Sequence, residues 1–112
     1  VKDESIAAWQ QAIGQRTRLI YIESLGSASV HMPNLSEIAH VAKAYGIPLV
    51  VENALLTPAL LQPLAAGADL VMYSHLKYLT GQSVPGASLL AGNEELMMPL
   101  RYAHNKLLSR VN

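Results

Sequence analysis

Short apolar runs alternate with amphipathic stretches along nearly the whole chain. Residues 3–13 place Ile6, Trp9 and Ile13 at helical spacing, with Gly14 as the stop. Leu19-Ile20-Tyr21-Ile22 is a β-branched and aromatic run closing on Glu23-Ser24, which predicts a strand. A loop follows at Gly26, Ser27 and Ser29. Asn34 then stands three residues before Glu37, an Asx variant of the capping box. The helix behind it turns Leu35, Ile38, Ala39 and Ala42 inward and stops at Gly46. Pro48 through Val51 predicts a second strand, ending at Glu52-Asn53. Thr57-Pro58 reads as an N-cap and first-turn pair, Pro63 limits that helix to a turn or two, and Gly67 ends the unit. Leu70 through Tyr73 predicts a third strand, running into Ser74-His75-Leu76-Lys77. Residues 81–86 read as a loop, 87–91 as a fourth strand and 94–108 as a helix interrupted near Pro99.

The strands are near-continuously apolar rather than alternating, as expected of strands covered by helices. Helix alternating with such runs predicts an α/β fold with a mainly parallel sheet and helices on both faces. Neither end of the pattern looks finished, because the first helix has no strand before it and the last has none after it. Residues 1–112 therefore read as a single partial domain, the middle of a larger one.

Composition narrows the classes of function. Half the residues are apolar (51%), too many for a disordered segment. Eight Lys and Arg balance eight Asp and Glu, so no basic footprint argues for nucleic acid or an anionic membrane. No apolar stretch reaches the roughly 18–20 residues of a membrane span, and residues 1–10 do not read as a signal peptide. The absence of cysteine excludes a thiolate nucleophile and Cys-bound metal, and a cytoplasmic setting is expected. The histidines His31, His40, His75 and His104 show no metal-ligand spacing, so no metal site is expected. Glycine-rich dinucleotide, P-loop and nucleophile-elbow motifs are missing.

In open α/β sheets, ligands sit outside the carboxyl ends of the strands. Three successive predicted strands end in polar residues, Glu23-Ser24, Glu52-Asn53 and Ser74-His75, with Lys77 just beyond. An acid, an amide, a hydroxyl and an amine are thus expected around one crevice. Taken singly, each has a plainer explanation. Lys77 could be a surface lysine, Glu52 a solvated strand end, and Ser74 a helix cap. The tyrosines read as packing residues. Only the joint pattern argues for a site.

Three stretches carry a resemblance that covers the chain from about Trp9 to Gly92. They are Tyr21-Ile22-Glu23-Ser24-Leu25-Gly26-Ser27-Ala28, then Tyr45-Gly46-Ile47-Pro48-Leu49-Val50-Val51-Glu52-Asn53-Ala54-Leu55-Leu56-Thr57-Pro58, and Tyr73-Ser74-His75-Leu76-Lys77-Tyr78-Leu79-Thr80-Gly81-Gln82. In one register they resemble the pyridoxal-phosphate (PLP) enzymes of cysteine and methionine metabolism, the trans-sulfuration group, with phrasing most like the O-acetylhomoserine sulfhydrylases. The resemblance implies part of the large domain of the aspartate-aminotransferase-like fold, PLP fold type I. It implies that Lys77 bonds covalently to PLP and moves protons at the substrate carbons. Glu52 stands where the family has an aspartate against the pyridine nitrogen, and Ser74 matches the hydroxyl that meets the phosphate. Asn53 is expected to orient its strand end, and Ser27 occupies the position of an asparagine near the cofactor's phenolic oxygen.

The departures from the family pattern are Ser27-Ala28 for Asn-Pro, Glu52 for aspartate, Leu76 for threonine, Ala54 for threonine and Gln82 for histidine. The implied function is elimination or replacement at the γ or β carbon of an amino-acid substrate, in a parent expected to be a homo-oligomer. The alternative is a degenerate, non-catalytic member of the same fold or a structural partner. The family's phosphate-cradling turn, ring-stacking tyrosine and carboxylate-clamping arginine lie outside these residues. The 112-residue piece alone is therefore expected neither to hold PLP durably nor to turn over substrate.

Overall fold

The computed structural model describes residues 5–26, 30–82 and 86–108. Helix α1 (Ile6–Ala12) is capped by Ser5, whose hydroxyl accepts from the Ala8 N–H at 3.3 Å. Strand β1 (Ile20–Glu23) follows. Helix α2 (Leu35–Ala44) starts where the capping pair predicts, with Asn34 Oδ1 accepting from the Glu37 N–H at 3.4 Å. Strand β2 (Leu49–Glu52), the short helix α3 (Thr57–Leu60) and strand β3 (Leu70–Tyr73) complete the repeating part. A further short helix, α4 (Lys77–Thr80), leads to β4 (Leu89–Gly92) and α5 (Glu94–Leu108).

The four strands lie in the order β1-β2-β3-β4, the first three parallel and β4 antiparallel to β3. Ile20 pairs with Leu49 and Ile22 with Val51, so these four side chains share one face. They pack with Leu35, Ile38, Ala39 and Ala42 of α2, while Trp9 and Ile13 close the margin. Leu49 and Val51 are 0% exposed, which makes β2 the centre of the core. The opposite face is more open: Tyr21, one residue out of phase, is 49% exposed. This is the mostly parallel α/β sheet that the pattern predicts, with α1 and α2 packed on the face described.

Asp69 ties the starting ends of the strands together. Its Oδ2 accepts from the Leu49 N–H at 2.8 Å, its own N–H donates to the Leu49 carbonyl at 2.9 Å, and its carbonyl accepts from the Asn93 N–H at 3.1 Å. With the starting end of β2 fixed against β3 and the strands parallel, their exits emerge together at the other edge.

Two local expectations are corrected. The last helix is not interrupted near Pro99 but runs unbroken from Glu94 to Leu108. Proline removes one amide there, yet the helix is anchored on both sides of it. Asn93 Oδ1 accepts from the Glu95 N–H at 2.8 Å, and Arg101 pairs with Glu94 at 2.9 Å across the proline. Thr57 lies within α3 rather than at its N-cap, although its hydroxyl still accepts from the Ala59 N–H at 3.3 Å. Among the described residues no helix is long and apolar enough to cross a membrane.

Gly67 connects α3 to β3 with φ +101°, and a β-carbon there would lie 2.9 Å from Ala39 Cβ on α2. Gly67→Ala is therefore expected to lower the urea midpoint by about 1–3 kcal/mol of stability. Gly46 has a positive φ but open space around it, so Gly46→Ala carries only the backbone term of about 1–2 kcal/mol. Equal losses at the two glycines would show that the close approach to α2 does not matter.

Candidate active site

Strands β1, β2 and β3 run in parallel, so Glu23, Glu52 and Ser74 emerge at one edge of the sheet, as their order in sequence predicts. Together with Ser24, His75 and Lys77 they line a cavity of about 260 Å³. Sequence and structure thus agree on the place. A larger depression, about 570 Å³, lies at the opposite edge beside α2 and the start of α5. Two of its polar side chains serve the fold: Asp69 holds the Leu49 amide and Asn93 caps α5. The smaller cavity holds the amine and the two acids, so the chemistry is placed there.

Glu52 ends the central strand and reaches two ways. Its Oε1 accepts from the Ala54 N–H at 2.8 Å and from the Ser74 N–H at 3.3 Å, joining the exit of β2 to that of β3. Its Oε2 is buried and has no hydrogen-bond partner. Leaving a carboxylate oxygen buried without a donor is costly, which makes this atom a ready acceptor for a ligand N–H. A protonated ring nitrogen is such a donor, so the residues present fit a pyridinium cofactor.

Asn53 is 0% exposed and sits behind the cavity wall, not in it. Ser24 donates to its Oδ1 at 2.7 Å, and its Nδ2 donates to the Leu61 carbonyl at 2.9 Å. These bonds pin β1 and the turn after α3 to the end of β2. Lys77 opens α4, is exposed, and holds its Nζ 4.9 Å from the Tyr78 ring centroid, a cation–π contact. Ser74 Oγ lies 2.9 Å from His75 Nδ1. Ser27 lies outside the described residues. Among those described, no group of three or more His, Cys, Asp or Glu side chains is placed to hold a metal ion.

One residue of this edge was read from sequence only as packing. Tyr21 lies on the open face of β1, and its phenol is pushed above the usual tyrosine value by burial and by the negative charges of Glu52 and Glu23. The period-two alternation of β1, with Ile20 and Ile22 inward, is the signal that places Tyr21 and Glu23 together outward.

The Tyr21 shift has a testable sign. The folded chain keeps the phenolic proton to higher pH than the unfolded chain, which releases it near 10.0. This contribution to stability is present below that pH and is lost as pH rises through the raised folded value. Glu52→Gln removes the charge that acts more strongly on Tyr21 while preserving an acceptor for Ala54 and Ser74. It is expected to move Tyr21 ionisation to lower pH in a ring-resonance NMR titration, and Glu23→Gln to move it less. An unmoved Tyr21 in both variants would show that the acids do not act on it.

Comparison with known proteins gives the family. Residues 1–109 match the model of the Cys/Met metabolism PLP-dependent enzymes. The chain is 36% identical over 96 residues to L-methionine gamma-lyase of Pseudomonas putida, covering 86% of this chain and 24% of that protein. It is 38% identical over 92 residues to O-succinylhomoserine sulfhydrylase of Pseudomonas aeruginosa, covering 82% and 23%. It therefore spans about a quarter of the length of these curated relatives. The crystal structure of cystathionine gamma-lyase from Lactobacillus plantarum, complexed with L-serine, superposes with a TM-score of 0.78 at 27% identity, over 86% of this chain and 25% of that one. A candidate O-acetylhomoserine (thiol)-lyase from Campylobacter jejuni superposes with a TM-score of 0.74 at 29% identity, over 83% and 23%; that crystal structure contains N'-pyridoxyl-lysine-5'-monophosphate. With a mostly parallel sheet, a shared strand-exit cavity and a buried, unpaired carboxylate oxygen of Glu52 at that edge, the chain belongs to the Cys/Met metabolism family of PLP-dependent enzymes, of fold type I.

Proposed function

We propose that this chain supplies the lysine-bearing middle of an enzyme that eliminates or replaces a γ or β substituent of an amino acid, acting as an O-acetylhomoserine sulfhydrylase. The observation that carries the reading is the buried, partnerless Glu52 Oε2 in the cavity that Lys77 also lines. Bound PLP supplies an electron sink for negative charge developing at the substrate Cα. Lys77 would hold the cofactor through its aldehyde carbon and would move protons at the substrate carbons. Glu52 Oε2 keeps the ring nitrogen protonated, with Oε1 fixed by the Ala54 and Ser74 amides. The Ser74 hydroxyl would meet the phosphate, and Asn53 holds the strand ends in place from behind.

Support for sulfur chemistry comes from the relatives, among them the O-succinylhomoserine sulfhydrylase of Pseudomonas aeruginosa and the candidate O-acetylhomoserine (thiol)-lyase of Campylobacter jejuni. The test uses the longest natural chain that contains these residues, loaded with PLP. O-acetylhomoserine with sulfide, cystathionine and L-methionine are compared as substrates, with thiol release or formation as the readout. Homocysteine formed from O-acetylhomoserine and sulfide at the highest kcat/KM is the expected result. Preference for cystathionine or methionine would reassign the reaction within the family. Lack of turnover and of PLP on Lys77 would favour the non-catalytic alternative.

Glu52→Gln is expected to lower kcat about ten- to hundredfold, the weight of one charge-assisted hydrogen bond or more, while PLP retention changes far less. Glu52→Asp keeps the charge and is expected to retain activity. A Glu52→Gln enzyme with unchanged kcat would remove the electronic role of the carboxylate.

A further inference from the structure

Among the described residues lining the strand-exit cavity, the basic side chains are Lys77 and His75, set against the acids Glu23 and Glu52. The following inference rests on the reading of Lys77 as the residue bonded to the cofactor aldehyde. A lysine nitrogen committed to that carbon is not also available to a phosphate carried on another ring position. His75 is then the basic side chain left on this lining. It is exposed, and its Nδ1 lies 2.9 Å from Ser74 Oγ. Leu76, the next residue, offers no side-chain donor.

The Ser74 hydroxyl has a single proton. If His75 Nδ1 is unprotonated, it takes that proton, and an incoming phosphate oxygen meets only lone pairs. If Nδ1 carries hydrogen, it donates to Ser74 Oγ and leaves the hydroxyl proton free for the phosphate. We propose that His75 is a positioning residue for the cofactor phosphate, donating from Nδ1 to Ser74 Oγ so that Ser74 donates to the phosphate. The other polar and charged groups on the same lining are Glu23 and Glu52 at the ends of β1 and β2, and Lys77 and Tyr78 on α4.

The test compares PLP with pyridoxal, which has the ring and aldehyde but no phosphate. The longest natural chain containing these residues is stripped of cofactor and titrated with each aldehyde. Adducts are trapped with borohydride and counted at Lys77 by peptide mass mapping. Wild type is expected to prefer PLP, and His75→Ala to shrink that preference about tenfold while pyridoxal labelling of Lys77 stays unchanged. The unchanged pyridoxal labelling also shows that the variant is folded. His75→Gln retains an N–H donor without the charge. It is therefore expected to recover part of the preference that His75→Ala loses. Equal weakening of both aldehydes, or an unchanged preference in His75→Ala, would overturn the proposal while leaving the Lys77 reading intact. Wild type in which neither aldehyde labels Lys77 would remove that reading, and this inference with it.

Discussion

The carboxylate of Glu52 is held by the backbone of two different strand exits, and the whole edge of the sheet depends on that hold. Its Oε1 accepts from Ala54, just past β2, and from Ser74, just past β3. A single side chain thereby sets the distance between the acid and the segment that leads to Lys77. The hold works because β2 itself cannot move: Leu49 and Val51 are fully buried between the sheet and α2, and Asp69 fixes the strand's starting end. Packing at one end of the strand therefore determines geometry at the other.

A second tie runs the other way across the sheet. Ser24, Asn53 and the Leu61 carbonyl form a buried chain of hydrogen bonds linking the end of β1, the end of β2 and the turn after α3. Neutral groups serve here because the site is dry, and every polar atom of the Asn53 side chain has a protein partner. Glu52 differs in this respect. It is the charged residue of the pair, and one of its oxygens is left for something else. The neighbouring positions 52 and 53 thus differ in that Asn53 spends all its polar atoms on the fold while Glu52 keeps one oxygen unpaired.

Much of this was legible in the sequence because it was local. Apolar runs ending at Glu23, Glu52 and Ser74 are strands with polar exits, and parallel pairing alone brings such exits to one edge. The Asn34–Glu37 capping pair and the glycine stops delimit α2 for the same reason. What escaped depends on contacts distant in sequence. The helix through Pro99 starts from Asn93, just past β4, whose backbone N–H is held by the carbonyl of Asp69 just before β3. The antiparallel direction of β4 depends on where the chain returns, which no periodicity encodes. Tyr21 looked like packing because its charged neighbours lie partly on another strand.

The longer acid at position 52 follows from the same geometry. The resemblance has an aspartate there, one methylene shorter. In this chain the extra reach is used by folding one oxygen back onto the Ala54 amide, at 2.8 Å, so that the other is carried into the cavity wall. The two oxygens are therefore not interchangeable, since one is committed to backbone and the other is an acceptor without a donor. A freely rotating carboxylate would satisfy itself from the nearest amides and lose its directional demand for a ligand. Fixing one oxygen preserves that demand in the other, because rotation to relieve Oε2 would strip Oε1 of both its amides. The buried, unsatisfied atom is stable in place only as long as the strand exits are, and for that reason the core around β2 is as much a part of the site as the residues that line it.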